Sequence, residues 1–243
     1  MGPQHHRAIC LLFSLEEETR HGRYPARRPA CKNEKMPQMT SADDQQSGGS
    51  RVPMVDLDAL DPQSELGSLV SSAMRNSNGR PLNMFAVLAH HPKLLKRFNL
   101  FGGFLLDKGL VPVREREIVI LRVGWNAGAV YEFGQHTLIG TRAGLTSDQI
   151  AALASATCLD DQPWDDPDRD LIHMVDELCD DDCVSEITFA RLAHRWNEAE
   201  LVELVICAGF YRLVSGFLNT MAVPLDPGVP GWPAPDHDGP IED

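Results

Sequence analysis

From Asp56 onward apolar residues recur at intervals of three and four, and the alternation of half-buried strands is missing, so the pattern predicts helices throughout. Breakers and capping residues set the expected boundaries. "DPQSELGSLVSSAMR" gives a first helix that "NGRPLN" breaks through Gly79 and Pro81. "NMFAVLAHH" and "KLLKRFNLFGGFLL" form two stretches separated at Pro92, which disfavours helix at His91 and suits a first turn; Lys108 and Gly109 stop the second. "VPVREREIVILRVGWNAG" starts after Pro112 and is apolar nearly all round from Ile118 to Val123, which predicts a central helix. "AVYEFGQHTLIGTRAG" follows Gly128, and "TSDQIAALAS" opens on Thr146 and Gln149 at capping-box spacing. After the acidic loop "CLDDQPWDDPD", three helices are expected in "RDLIHMVDELCDD", "SEITFARLAHRW" and "NEAELVELVICAGFYRLVSGFLNTM", the last two capped by Ser185 and Asn197.

Composition trims the ends of this picture. Residues 1–50 have basic and polar runs without an apolar period, as expected of a disordered extension, and 225–243 is a Pro/Gly-rich tail. The expected body is one all-helical domain over 51–224. "AICLLFSL" near the start is followed by "EEETRHGR" where a cleavage site would need small residues, so export is not expected. No run reaches the ~18 consecutive apolar residues of a membrane span, which predicts no membrane partner. Residues 1–50 hold 7 of the 22 bases and 6 of the 35 acids, leaving 15 bases against 29 acids in the remainder. Such a body repels phosphate backbones, so no nucleic-acid partner is expected. The six cysteines, at 10, 31, 158, 179, 183 and 207, have neither zinc spacing nor disulfide density, which points to a reducing cytoplasm.

Candidate chemistry concentrates in "WNAGAVYEFGQH". Glu132 and His136, four apart on one helix, share a face, so the carboxylate can orient the imidazole or share a proton with it. The same spacing also describes an ordinary surface pair. Glu117 stands where its helix turns apolar; facing Glu132 and His136, it would complete a buried set of two carboxylates and one imidazole suited to acid–base work. Alternatively it pairs with Arg114 or Arg116. Tyr131 could polarise a carbonyl or belong to the core, and Trp125 and Phe133 could line a pocket or pack inside. Tyr211 and His173 could reach the site from later helices. Cys179 and Cys183 flank three aspartates, whose field suppresses thiolate, so no redox role is expected. His173, Asp176 and Cys179 share a face but make a weak metal set, and no metal or cofactor is expected.

The stretch "LNMFAVLAHHPKLLKRFNLFGGFLL…REREIVILRVGWNAGAVYEFGQHTLIGTRAGLTSDQI", with the later "LIHMVDEL…SEITFARL…ELVICAGFYRLVSGFLN", resembles the carboxymuconolactone decarboxylase family, which includes alkyl hydroperoxidase D. The resemblance implies a compact all-α, multi-helix fold of the alkyl hydroperoxidase D-like type, assembled as a homo-oligomer (trimer or hexamer) with sites near subunit contacts. In the peroxidase branch a glutamate precedes Cys-x-x-Cys-x-x-x-His. Laid on this chain, the glutamate falls on Glu117, the histidine on His136 and the cysteines on Ala129 and Glu132. Both thiols are absent, so the peroxidase chemistry is not expected. The thiol-free branch matches at Tyr131, Glu132 and His136. It implies cofactor-independent proton chemistry on a small organic acid or lactone, as in a lyase or isomerase, with His136 as acid or base and Glu117 and Glu132 tuning it; Tyr131, Trp125 and Phe133 are the candidates for substrate contact. The alternatives are a thiol-free relative of the peroxidases and a non-catalytic oligomeric binding protein. Apolar residues 100–106 and 201–221 exceed what one small domain covers, which independently predicts self-association.

Overall fold

The structure is a computed structural model that describes residues 49–76, 78–157, 159 and 164–233. The expected disorder of the N-terminal extension, and the tail beyond 233, fall outside the described residues. In chain order the helices are α1 (Glu65–Ser71), α2 (Asn83–Leu88), α3 (Pro92–Asp107), α4 (Val113–Asn126), α5 (Val130–Arg142), α6 (Ser147–Leu153), α7 (Asp166–Asp181), α8 (Glu186–Arg195) and α9 (Glu198–Met221). Among the described residues there is no strand, only an isolated antiparallel bridge between Arg75 and Pro81.

Local chemistry accounts for most boundaries. Thr146 and Gln149 form the expected capping box, Asn197 and Glu200 form another, and the Ser185 hydroxyl accepts from the Thr188 N–H. Two boundaries differ from expectation. α1 is shorter, because the hydroxyls of Ser71 and Ser72 turn back onto the carbonyls of Gly67 and Leu69 and compete with the helix. α7 starts three residues early, at Asp166, because Asp165 accepts from the Asp168 N–H and Pro167 fits the first turn.

α4 is the central helix. Every residue from Arg116 to Gly124 is buried, and α5, α7 and α9 pack around it. α4 and α5 run antiparallel through a tight turn at Gly128, whose φ of 61° is the left-handed conformation that glycine adopts without steric cost. One apolar cluster joins α4 to α6, α7, α8 and the first half of α9; a second joins α1, α2 and Leu95 of α3 to Tyr131 and the later part of α9. α9 is long and apolar enough to cross a membrane by length and composition, contrary to the expectation that no such run exists, but half of that stretch is buried within the fold.

The chain after α9 corrects the expected end of the domain at 224. Residues 223–232 return across α5: Asp226 is buried, and Trp232 packs on Trp125 and Phe133 with ring centroids 5.3 and 5.1 Å away. This close approach requires Gly134, because a β-carbon there would lie 2.2 Å from the Pro230 carbonyl oxygen. The described part of the Pro/Gly segment is thus extended but docked.

Candidate active site

α4 supplies Glu117 and α5 supplies Glu132 and His136. The helices approach closely beside Glu117 because residue 140 is glycine; a β-carbon there would come within 3.0 Å of Leu145 and 3.3 Å of Leu121. Glu117 is fully buried, and Glu132 and His136 are 3% and 5% exposed, so the surface-pair alternative does not hold for them. The imidazole bridges the acids: Nδ1 lies 2.6 Å from Glu117 Oε2, and Nε2 lies 3.2 Å from Glu132 Oε1. Glu117 also meets its other expected partner, as its Oε1 accepts from Arg116 Nε at 3.2 Å. Arg116 is anchored in turn by donating to the carbonyls of Leu105 and Leu106.

Burial opposes a charge on His136, but Glu117 first and then Glu132 outweigh it and push its pKa up to about 10. The ring is therefore an imidazolium at neutral pH, hydrogen-bonded to Glu117 through Nδ1 and with Nε2 near Glu132. Tyr211 of α9 stands edge-on to it, ring centroids 5.0 Å apart, and burial followed by the charge of Glu132 raises its phenol well above the usual range. The Tyr211 hydroxyl makes no hydrogen bond among the described residues.

Glu132, His136, Arg116 and Tyr211 belong to the polar wall of a cavity of about 270 Å³. The rest of its wall comes from α2, α3, α5 and α9, mainly apolar side chains such as Phe85, Phe98 and Phe210, with Asn99 among the polar members. Glu117 does not line it; it lies behind His136. The volume is just under the ~300–1,000 Å³ usual for drug-sized ligands, so the cavity suits a small molecule.

Three expectations for substrate contact are revised by this geometry. Trp125 and Phe133 do not line the cavity; both pack against Trp232 on another side of the helix pair, since residue 133 points away from the face shared by 132 and 136. Tyr131 does line it, yet its hydroxyl is engaged elsewhere, donating to Asp226 Oδ2 at 2.5 Å and accepting from the Met84 N–H at 3.3 Å. Burial and then the Asp226 charge push that phenol well above its ordinary range.

Asp226, which sequence reasoning did not single out, also accepts from Gln135 Nε2 at 2.9 Å and the Asn83 N–H at 3.1 Å, so it caps α2 from the far end of the chain. No local signal marks it. His173 is on α7 beside Glu177, away from the cavity. Asp176 is held by Arg122 and Asn126, and among the described residues no group of three His, Cys, Asp or Glu side chains is placed to hold a metal ion. Burial raises the pKa of Cys179 and pushes that of Cys207 up to about 12, and no described cysteine lines the cavity.

Comparison with known proteins agrees with the resemblance read from the residues. Residues 92–162, which include α3 to α6, match the model of the Carboxymuconolactone decarboxylase family. None of the curated proteins compared matches the chain by sequence. Among solved structures, an uncharacterised peroxidase-related protein of Ralstonia eutropha JMP134 with an alkylhydroperoxidase AhpD core superposes with a TM-score of 0.64 at 18% identity, covering 74% of this chain and 94% of that one. A peroxidase-related protein of Silicibacter sp. TM1040 gives 0.61 at 15% identity, with coverages of 72% and 92%. A debrominase variant in complex with 2,3,4-tribromopyrrole gives 0.53 at 12% identity, with coverages of 73% and 94%. At these identities the structures establish a shared all-helical fold.

Proposed function

We propose, on the premise that residues 92–162 are a carboxymuconolactone decarboxylase-family segment, that this protein is a cofactor-independent acid–base enzyme acting on a small organic acid or lactone by decarboxylation or isomerisation. The observation that carries this reading is the buried row Glu117–His136–Glu132, which ends at the wall of a small cavity. The roles follow from position and charge. Glu132 faces the bound molecule and takes a proton from a carbon beside its carbonyl. His136, charged at rest, is not the resting base; it stabilises the Glu132 carboxylate and can deliver a proton as an acid. Glu117 lies behind the ring, so it is a positioning residue that fixes ring orientation and charge.

In isomerisation the electron pair of the broken C–H bond enters an enolate, and the proton returns at another carbon. In decarboxylation the pair of the broken C–C bond enters the enolate, carbon dioxide leaves, and a proton from the His136–Glu132 pair quenches the carbanion. The fold of a debrominase that holds a small ring compound supports a small-molecule site here. Thiol peroxidation has weaker support, because Ala129 and Glu132 stand at the thiol positions and the buried Cys207 resists ionisation.

The test is turnover of candidate lactones and lactone acids by the wild type, His136→Ala and Glu132→Gln. Each variant is expected to lose on the order of 10²-fold or more, the usual size for a proton-transfer group. Unchanged rates in both variants would remove the acid–base assignment.

A further inference from the structure

We propose that the cavity selects an uncharged carbonyl compound over carboxylates of the same shape, with the Asn99 side-chain amide receiving the carbonyl oxygen. This inference rests on the acid–base reading and narrows its substrate class to the neutral lactone or ketone side, which makes isomerisation the reaction.

The argument begins with charge. Two cations, Arg116 and His136, lie in the wall, and two carboxylates, Glu132 in the wall and Glu117 behind it, neutralise them. Both cations already have carboxylate partners. Arg116 Nε donates to Glu117 and its Nη1 to the carbonyls of Leu105 and Leu106, its Nη2 lies 3.2 Å from Glu117 Oε1, and the two nitrogens of His136 lie 2.6 and 3.2 Å from carboxylates. Among the described residues no other Lys, Arg or His lines the cavity, while Asp107 adds a further negative charge to its wall. An entering carboxylate would therefore meet only cations whose charge Glu117 and Glu132 already balance, and it would sit beside Glu132 in a wall otherwise made largely of aromatic and aliphatic groups. Placing an unpaired charge there is strongly disfavoured.

The uncommitted polar groups fit a neutral ligand. Asn99 Nδ2 is buried without a hydrogen-bond partner, although its residue lines the cavity. A buried donor without a partner is costly, and a carbonyl oxygen is the acceptor that satisfies it without bringing charge. The unengaged Tyr211 hydroxyl offers a second polar contact on the same cavity. A carbonyl held by neutral donors also leaves the Glu132 carboxylate, in the same wall, to meet an adjacent C–H.

Titration calorimetry of the full-length protein near neutral pH, with benzamide and benzoate as probes, tests the proposal because the two differ mainly in the charge of the head group. Benzamide is expected to bind on the order of tenfold or more tighter than benzoate. Asn99→Leu should weaken benzamide roughly tenfold. Glu132→Gln, by removing one negative charge, should tighten benzoate by a similar factor. Benzamide should also shift the His136 ring proton resonances, which places it in this cavity. Benzoate binding as tightly as benzamide, no benzamide binding at millimolar concentration, or binding that leaves those resonances unmoved would overturn the proposal. Turnover in the His136 and Glu132 variants is read separately. A neutral preference without any turnover would sink the catalytic reading alone, and turnover with a preference for benzoate would sink the selectivity alone.

Discussion

His136 couples the site to stability. Its folded pKa of about 10 exceeds the ordinary value of 6.5, so the stabilisation it brings is complete below about 6.5 and is lost as pH rises through about 10. The urea unfolding midpoint of the wild type is expected to fall across that window, and the fall should be shallower in His136→Gln; parallel profiles would contradict the charged ring. Glu117 is the first carboxylate responsible for the elevation. Glu117→Gln should lower the imidazole pKa, read by NMR titration of the ring protons, and reduce turnover while leaving the cavity wall in place. An unshifted ring in that variant would remove Glu117 from its positioning role.

Among the elements, the segment after α9 controls how α5 is held. Asp226 gathers donors from the Tyr131 hydroxyl, the Gln135 amide and the first backbone N–H of α2, joining three parts of the chain through one carboxylate. Asp226→Ala leaves these donors without their shared acceptor, and a loss of about 3 kcal/mol in unfolding free energy is expected from denaturant titration. Gly134→Ala acts on the same contact by steric means, since the new β-carbon would meet the Pro230 carbonyl at 2.2 Å. The segment should lift, moving Trp232 off Trp125 and Phe133, with red-shifted tryptophan emission as the readout. An unchanged spectrum would mean that the segment docks some other way.

Across the whole molecule, several large apolar side chains remain on the surface. Phe101 and Phe104 on α3 and Val202, Ile206 and Leu213 on α9 are 42 to 64% exposed, and α3 and α9 touch where Phe101 meets Phe210 edge-on. Such a surface is expected to be covered by a second copy of the chain. Sedimentation at micromolar concentration should show an oligomer, and Phe104→Glu with Ile206→Glu should shift it to smaller species. A wild type that sediments only as monomer would contradict this.

The helical class and the caps at Thr146, Ser185 and Asn197 were legible in the sequence because they depend on contacts within a few residues. The pairing of Glu132 with His136 was equally local, being one helical turn. Four matters were decided only in three dimensions. Glu117 reaches the ring from another helix, Trp125 and Phe133 turn from the cavity to Trp232, Tyr131 is claimed by Asp226, and Asn99 and Tyr211 become cavity groups. The physical reason is the same each time. A helix's own periodicity says which residues share a face, but the neighbour against that face, and whether it brings charge, a hydrogen bond or only bulk, depends on how distant segments pack.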